Sequence, residues 1–241
     1  MKITTLLTER VMADVVEYQF VQEFPCYYDL YIPNGNGRRP LLIAMHGYGG
    51  DKSSMMRLAR RINERDYLIA SLQGPHQHIV YPGERGQSLG YGFGWVTNFK
   101  SEESVAFHHK AVIEIIDRLS REAGADPARV FLLGFSQSVA LNFRFTFTHP
   151  ERVRGVIAMC GGIPGDWDNE QKYRRGDIDV LYLAGRKDEF YPPTRIEENA
   201  LALKRRARAV EVRIYDIGHE VAHEAYPLID QWISARINHM G

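Results

Sequence analysis

The sequence predicts an α/β protein in which a mainly parallel sheet carries helices on both of its faces. Short apolar runs alternate with helical patterns along the chain, and most of these runs are apolar at nearly every position. The 241 residues include 44% hydrophobic and 25% charged residues, and no linker, repeat or low-complexity segment divides them. The chain is therefore predicted to form a single domain over residues 1–241.

Several segments have the pattern of a strand. Residues 16–21 and 27–32 alternate polar and apolar side chains, which predicts half-buried antiparallel strands. A later segment, 210–215, also alternates and is predicted to be an edge strand. Strands buried on both faces are predicted from five nearly continuous apolar runs, at 41–45, 67–72, 130–135, 155–160 and 180–184.

Helical patterns separate these strands, as expected for crossovers between parallel neighbours. Two connections, 74–101 and 161–177, are longer than usual and leave the carboxyl ends of strands, where ligands bind in such sheets. They are candidate walls of a binding site, with plain surface loops as the alternative. The predicted helices cover 52–65, 104–123, 139–147, 194–208 and 224–237.

Charge and composition exclude several classes of partner. The balance of 30 basic and 30 acidic residues gives no electrostatic reason to expect a nucleic acid or an anionic membrane. The N-terminal segment lacks the apolar stretch of a secretory signal, and no run has the ~18 apolar residues that a membrane span needs. Cys26 and Cys160 are predicted to be reduced, buried thiols of a cytoplasmic protein. Both a monomer and a homodimer are compatible with the sequence.

A serine stands where a buried strand runs directly into a helix. Residues 134–138 read G-F-S-Q-S, and this strand–turn–helix context is the one that a nucleophile elbow requires. Small residues at Gly134 and Ser138 let the two backbones approach closely, although Ser138 stands where the motif usually has glycine. The helix N-terminus favours negative charge that develops beside the hydroxyl. Ser136 is therefore predicted to be a nucleophile, with a helix-capping serine as the alternative.

An acid and a base follow later strands, in the order in which such a fold delivers its catalytic residues. Serine is a weak nucleophile unless a base accepts its proton. Asp188 in G-R-K-D is predicted to orient His219 in G-H, which would accept the proton of Ser136. Glu189 is the alternative acid, and an ion pair of Asp188 with a neighbouring basic residue is the non-catalytic alternative.

A glycine-rich loop follows the first buried strand. Residues 46–50 read H-G-Y-G-G, and the glycines free the backbone to aim amide groups inward. The amides of Tyr48 and Gln137 are predicted to form an oxyanion hole. His46 is predicted to hold this loop through hydrogen bonds rather than to act as a base.

One competing motif indicates a different class of enzyme. Residues 219–223 read H-E-x-x-H, the pattern with which zinc peptidases place two imidazoles on one helix face. A glycine precedes this motif, which indicates a loop, and no glutamate after Glu224 supplies a third ligand. Zinc is therefore not expected here. His76 and His78 are likewise predicted to be loop residues, and the basic run 204–208 a solvated helix face.

The motifs H-G-Y-G-G, G-F-S-Q-S, G-R-K-D and G-H together resemble the α/β-hydrolase fold. More narrowly, they are similar to those of the phospholipase/carboxylesterase family, which includes acyl-protein thioesterases and has no large cap domain. The resemblance extends over residues 27–237 and implies hydrolysis of an ester or thioester without a metal or organic cofactor. The residues that it assigns are the triad Ser136, Asp188 and His219 and the oxyanion amides of Tyr48 and Gln137.

The predicted substrate is an uncharged ester or thioester with a short to medium acyl chain. Because the connection at 161–177 leaves little room for a lid, the site is expected to be open. Apolar contacts to the substrate are predicted from Tyr91, Phe93, Trp95 and Trp167. A binding protein that keeps this fold and pocket without the chemistry is the alternative.

Overall fold

A computed structural model describes residues 15–35, 37–80 and 90–238, and a seven-stranded sheet forms its centre. The strands of the described residues are β1 (Tyr28–Tyr31), β2 (Arg39–Met45), β3 (Leu68–Leu72), β4 (His76–Val80), β5 (Gly90–Gly94), β6 (Ala125–Phe135), β7 (Gly155–Met159), β8 (Asp179–Gly185) and β9 (Ala209–Tyr215). The sheet has the order β1-β3-β2-β6-β7-β8-β9, while β4 and β5 form a separate hairpin. Only β1 runs antiparallel to its neighbour in this sheet. The predicted mainly parallel sheet is confirmed.

Helices cover both faces of the sheet, as predicted. They are α1 (Lys52–Ile62), α2 (Ser101–Glu122), α3 (Gln137–Thr148), α4 (Pro193–Lys204) and α5 (Ala225–Asn238), with a short 3-10 turn at Pro150–Arg152. Buried side chains of α2, α3 and α4 join one core, and those of α1 and α5 join the other. Within the part of the chain that the structure describes, none of these helices has the length and apolarity to cross a bilayer.

The side chains of β2 explain why this strand is apolar at almost every position. Leu41, Ile43 and Met45 lie in the core under α2, α3 and α4, whereas Leu42 and Ala44 lie in the core under α1 and α5. Successive side chains of a strand point to opposite faces, so a strand covered on both sides must be apolar throughout. The near-continuous apolar run thus indicates that helices cover both faces of the sheet.

The strand predicted at 16–21 is wrong. Residues 15–27 form neither helix nor strand, and the apolar side chains that suggested alternation are exposed, among them Val16, Tyr18 and Phe20. Alternation is a property of one segment, whereas a strand also requires a partner edge. The edge strand predicted at 210–215 is confirmed as β9, and the remaining predicted strands and helices are confirmed with shifted ends.

The long connection predicted at 74–101 contains the β4–β5 hairpin. Its strand β5 reaches the loop that follows β2, where the amide of Phe93 donates to the carbonyl of Gly50 at 3.1 Å. The amide of Gly49 donates back to the carbonyl of Phe93 at 2.9 Å. The hairpin is therefore fastened to the glycine-rich loop at the carboxyl edge of the sheet.

The two cysteines differ in their surroundings. Cys160, directly after β7, is a buried free thiol as predicted. Cys26 is a free thiol as well, but it is exposed, so its predicted burial is wrong. It lies in the segment before β1, between the two strands predicted at 16–21 and 27–32.

At the amino-terminal ends of the parallel strands, a buried carboxylate forms ion pairs with three arginines. Asp179 begins β8 with its side chain 3% exposed, and its oxygens contact Arg154 at 3.3 Å, Arg208 at 2.5 Å and Arg236 at 2.7 Å. Burial opposes ionisation, but the hydrogen bond from Arg208 and the charges of Arg236, Arg208 and Arg154 outweigh it and lower the pKa of Asp179. The cluster joins β8 to the segment before β7 and to α5.

We expect Asp179→Asn to lower the free energy of unfolding by roughly 3 kcal/mol, because it leaves the buried Arg154 without its counter-charge, whereas Arg208 and Arg236 keep Asp177 and Glu211 as partners. Urea denaturation followed by circular dichroism measures this loss. The matched control is Glu114→Gln, which removes a 57% exposed carboxylate from its pair with Arg118 and should change stability by less than about 0.5 kcal/mol. Equal losses in both variants would contradict this account of the cluster.

A second buried polar group lies between α2 and α3. The Nε2 of His108 is 3.2 Å from the Oδ1 of Asn142 and 3.1 Å from the Sδ of Met45, and the ring is fully buried. Burial, with a smaller contribution from the neighbouring charge of His109, lowers the pKa of His108 to about 3. The folded protein therefore holds this imidazole in its neutral form.

The stability of the protein should fall as the pH is lowered below about 6.5, because the unfolded chain binds a proton at His108 that the folded chain rejects. With a folded pKa of about 3, this residue alone removes about 2 kcal/mol of unfolding free energy between pH 7 and pH 5. Urea denaturation at both pH values measures the loss. His108→Phe should lose about 2 kcal/mol less than the wild type over that interval; an identical loss would contradict the assignment.

Candidate active site

Ser136 lies in a strained turn between β6 and α3. Its backbone has φ 55° and ψ −114°, a positive φ that is uncommon for a residue with a side chain. The amide of Ser136 donates to the carbonyl of Met159 on β7 at 2.9 Å, which holds the turn against the sheet. The predicted strand–turn–helix context is thus present, with the hydroxyl at the N-terminal end of α3.

Close approach of backbones around this turn requires glycine at two positions. A Cβ on Gly134 would lie 2.7 Å from the Nδ2 of Asn142, and one on Gly47 would lie 3.1 Å from the Cβ of Ser136. Both distances are shorter than ordinary van der Waals contacts. Gly134 and Gly47 are therefore required by space, and neither has a positive φ.

Ser138 occupies the position where the elbow motif usually has glycine. Its side chain is fully buried, and its Oγ donates to the carbonyl of Met45 at 2.9 Å and accepts the amide of Phe135 at 3.1 Å. The hydroxyl therefore ties the start of α3 to the end of β2. A serine fits here because both of its hydrogen-bonding functions are satisfied.

The structure brings the three predicted side chains together. The Nε2 of His219 lies 2.9 Å from the Oγ of Ser136, and the Nδ1 of the same ring lies 2.9 Å from the Oδ2 of Asp188. These side chains come from segments that follow β6, β8 and β9, whose carboxyl ends meet at one edge of the sheet. Both ring nitrogens are engaged, which orients the imidazole towards the serine.

Asp188, rather than Glu189, faces the histidine. The other carboxylate oxygen of Asp188 accepts the amides of Phe190 at 2.9 Å and Tyr191 at 3.0 Å, and its side chain is 0% exposed. Glu189 is exposed to solvent. Two backbone donors fix the Asp188 carboxylate in one orientation.

Two backbone amides in segments next to Ser136 have no acceptor among the described residues. Tyr48 lies in the loop after β2, and Gln137 is the first residue of α3. Within the described ranges neither amide donates to a carbonyl or a side chain. Free amides at a helix N-terminus and in a glycine-rich loop are suited to receive negative charge on a ligand oxygen.

His46 fixes the loop that carries the Tyr48 amide. Its Nδ1 lies 2.7 Å from the carbonyl of Gly47, and its Nε2 accepts the amide of Gly74 at 3.0 Å. Burial lowers the pKa of His46, which favours the neutral ring that these two bonds need. His46 therefore links the glycine-rich loop to the segment after β3 through hydrogen bonds, in line with its predicted role.

The predicted substrate contact of Trp95 is wrong. Trp95 is 0% exposed, and its Nε1 donates to the carbonyl of His46 at 2.9 Å, while its amide donates to the Oε1 of Gln137 at 2.7 Å. The indole therefore belongs to the core, where its polar edge supports the glycine-rich loop. Its place in the long connection 74–101 suggested a wall of the binding site, but the indole packs inward.

Trp167 is also wrongly predicted to line the pocket. It is 3% exposed, packs edge-on against Phe147 with ring centroids 5.0 Å apart, and donates through its Nε1 to the carbonyl of Ala202. The guanidinium of Arg206 lies 5.2 Å above this ring and is itself largely buried. Part of the basic run 204–208, predicted to be a solvated helix face, is thus a cover for the core.

Tyr91 and Phe93 lie on the hairpin strand β5. Tyr91 is 71% exposed, and Phe93 borders a cavity on the far side of the hairpin together with Phe107. Neither ring touches His219 among the aromatic contacts of the described residues. Their predicted contact with substrate stays a prediction.

Three aromatic residues that the sequence reasoning did not select surround the imidazole. Phe135 lies 5.0 Å from the His219 ring, Phe190 lies 4.9 Å from it, and Tyr191 lies 6.1 Å from it. Each lies within three positions of a predicted catalytic residue: Phe135 directly precedes Ser136, and Phe190 and Tyr191 follow Asp188 by two and three positions. Adjacency to the motifs was the signal that could have found them.

A buried thiol completes the surroundings of the acid and the base. Cys160 has a positive φ of 49°, and its Sγ donates to the carbonyl of Glu220 at 3.1 Å. One ligand atom each from Cys160, Asp188 and His219 lie within 4.8 Å of one another. Burial, and then the charge of Asp188, raise the pKa of Cys160 to about 12, so the group is a neutral thiol that fills space beside the carboxylate.

The H-E-x-x-H motif does not have the geometry of a peptidase metal site. Residues 219–223 lie in the loop before α5, and both nitrogens of His219 are engaged by Ser136 and Asp188. His223 is exposed and packs its ring against Tyr226 at 5.8 Å. His76 and His78, predicted to be loop residues, lie on β4, and the ring of His78 stacks on Tyr48 at 4.2 Å.

Comparison with known proteins identifies related sequences. The sequence profile of the family described as Phospholipase/Carboxylesterase matches residues 32–237. Acyl-protein thioesterase 1 of Saccharomyces cerevisiae is 27% identical over 141 residues, which cover 53% of this chain and 60% of that protein. A protein of Oryza sativa subsp. japonica, described as a probable inactive carboxylesterase, is 23% identical over 145 residues, which cover 59% of each chain. The chain spans less than two thirds of the length of these curated relatives.

Solved structures share the fold. The carboxylesterase of Bacillus cereus superimposes with a TM-score of 0.69 at 17% identity, covering 88% of this chain and 94% of that one. A carboxylesterase from Mesorhizobium loti superimposes with a TM-score of 0.68 at 23% identity, covering 86% and 93%. At these identities the likeness establishes the α/β-hydrolase fold alone.

Proposed function

The chain belongs to the phospholipase/carboxylesterase family, and on that premise we propose that it hydrolyses carboxylic esters or thioesters through a covalent intermediate on Ser136. The observation that carries the proposal is the distance of 2.9 Å between the Nε2 of His219 and the Oγ of Ser136. A base within hydrogen-bonding distance is what turns a serine hydroxyl into a nucleophile.

In the first step, the Oγ of Ser136 attacks the carbonyl carbon of the substrate while the Nε2 of His219 accepts the hydroxyl proton. The Nδ1 of the ring donates to Asp188 at 2.9 Å, so this tautomer leaves Nε2 free to accept. The carboxylate stabilises the imidazolium that forms and does not itself take up the proton.

The carbonyl oxygen becomes an oxyanion as the carbon turns tetrahedral. The free amides of Tyr48 and Gln137 are the donors proposed to hold it, because they lie on either side of Ser136 and have no other partner in the described ranges. Fixed donors of this kind stabilise charge that develops only in the transition state.

In the second half of the reaction, His219 gives its proton to the departing alcohol or thiol, which leaves an acyl group on Ser136. Water then enters, His219 accepts a proton from it, and the resulting hydroxide attacks the acyl carbon through the same oxyanion hole. The acid is released and the proton returns to Ser136. Every step uses groups of this chain.

The surroundings support a substrate of small to medium size. The side chain of His219 is 21% exposed, and exposed aromatic rings flank the site, with Tyr48 at 66% and Phe190 at 58%. Such an open, aromatic-edged site suits uncharged esters that approach from solvent. A small-molecule ester or thioester is therefore the proposed partner.

The alternative is a binding protein that has kept the fold and lost the chemistry. The relative described as a probable inactive carboxylesterase raises it. The hydrogen-bonded chain from Asp188 through His219 to Ser136, at 2.9 Å for each contact, favours catalysis. A fluorophosphonate probe discriminates the two functions, because it bonds covalently only to an activated serine.

Ser136→Ala should lower kcat for p-nitrophenyl butanoate by roughly 10⁴–10⁶ and abolish fluorophosphonate labelling, because the nucleophile is gone while the fold is unaffected. Steady-state hydrolysis and in-gel labelling measure the two effects, and circular dichroism checks folding. Ser53→Ala is the matched control, since it removes an exposed hydroxyl from the first turn of α1. Near-normal turnover in Ser136→Ala would overturn the proposal.

The acid can be assigned by a pair of neighbouring substitutions. Asp188→Asn should lower kcat about 10³–10⁴-fold, because the amide favours the wrong tautomer of His219. Glu189→Gln should change kcat less than about two-fold, since this side chain is exposed and points away from the ring. Hydrolysis rates of both variants measure the difference. A large loss in Glu189→Gln with a small one in Asp188→Asn would reverse the assignment.

A further inference from the structure

A separate cavity opens beside Ser136, between α1 and the loop that follows His219. Its volume is about 350 Å³, which is at the lower end of the range for small-molecule sites. We call this cavity the α1 pocket. Its apolar wall is formed by Tyr48, Met55, Leu58, Phe135, Val221 and Tyr226.

The wall of the α1 pocket contains close neighbours of Ser136 and His219. Phe135 directly precedes Ser136, and Val221 comes two residues after His219. Gly47, also in the wall, lies so close that a Cβ on it would be 3.1 Å from the Cβ of Ser136. A group bound in the pocket is therefore within reach of an ester carbon attached to Ser136.

Two polar side chains of the wall are already engaged. The Oγ of Ser54 accepts the amide of Asp51 and donates to the carbonyl of Asp51 at 2.8 Å, within the capping box of α1. Both ring nitrogens of His46 are engaged by Gly47 and Gly74. Apart from the Tyr48 amide and the hydroxyls of Tyr48 and Tyr226, the wall offers hydrocarbon surface and aromatic rings, which favour an apolar group.

We propose that the α1 pocket binds the hydrocarbon part of the ester and that Met55 and Leu58 of α1 set the chain length that the enzyme accepts. This inference rests on the proposed function and adds to it a substrate class: esters with one aliphatic chain of medium length or one phenyl group. Both residues line the pocket; Met55 is 3% exposed, and Leu58 is half-buried. Because the volume of the pocket is limited, we expect longer chains to extend into solvent and to gain little.

Leu58→Trp tests the proposal by filling the pocket. For p-nitrophenyl esters, we expect kcat/KM for the octanoate to fall at least about ten-fold, since the apolar contact of several methylene groups is lost. The acetate should change less than about two-fold. Leu58→Ala, which enlarges the pocket, should move the preferred chain towards dodecanoate. The matched control is Leu201→Trp on α4, at a side chain that is 65% exposed, with no change in chain-length preference.

A second series separates the two halves of the ester. Alkyl acetates from ethyl to octyl vary the alcohol, while the p-nitrophenyl series varies the acyl group. A loss confined to the p-nitrophenyl series in Leu58→Trp supports the pocket as the site of the acyl chain. A loss confined to the alkyl acetates supports the pocket as the site of the alcohol and overturns the expected fall with the octanoate. Unchanged preference in both series, with normal fluorophosphonate labelling of Ser136, overturns the pocket and leaves the proposed function intact. Absence of labelling in the wild type overturns the proposed function itself.

Discussion

The site depends on the backbone of one residue, Ser136, which is held with a positive φ that a side chain disfavours. This conformation aims the hydroxyl at His219 and also turns the amide of Gln137 towards the same space. The turn persists because its surroundings leave no alternative. The amide of Ser136 is bound to Met159 on one side, and the hydroxyl of Ser138 is bound to the carbonyl of Met45 on the other. Hydrogen bonds to the neighbouring parallel strands therefore hold the turn at Ser136, and these contacts offset its backbone strain.

The β4–β5 hairpin extends this restraint to the glycine-rich loop. Gln137 accepts the amide of Trp95, and Trp95 in turn donates to the carbonyl of His46. The side chain of Gln137 thus restrains the position of the loop that carries the Tyr48 amide. The two proposed oxyanion donors are positioned by one hydrogen-bonded path that crosses from α3 to the hairpin and back to the end of β2. The buried indole serves the site without touching a substrate.

The sequence predicted the sheet well because burial on both faces leaves an apolar signature that depends on few long-range details. It predicted the convergence of Ser136, Asp188 and His219 for a related reason: in a parallel sheet the carboxyl ends of the strands share an edge. It failed at 16–21, where alternation had no partner edge, and at Trp95 and Trp167, whose direction depends on contacts made across the fold. Large aromatic residues near a site are ambiguous in a sequence, because the same side chain serves a core or a pocket. Phe135 and Phe190 were passed over although they adjoin the motifs.

In the pair formed by Asp188 and His219, only the histidine is exposed to solvent. The carboxylate is 0% exposed and receives two backbone amides, whereas the imidazole is 21% exposed. The carboxylate is therefore held by fixed backbone dipoles and is little screened by the ions of the medium. The imidazole, in contrast, is open to solvent. In the proposed reaction, water therefore reaches His219 directly, without a relay of internal groups and without any opening of the fold.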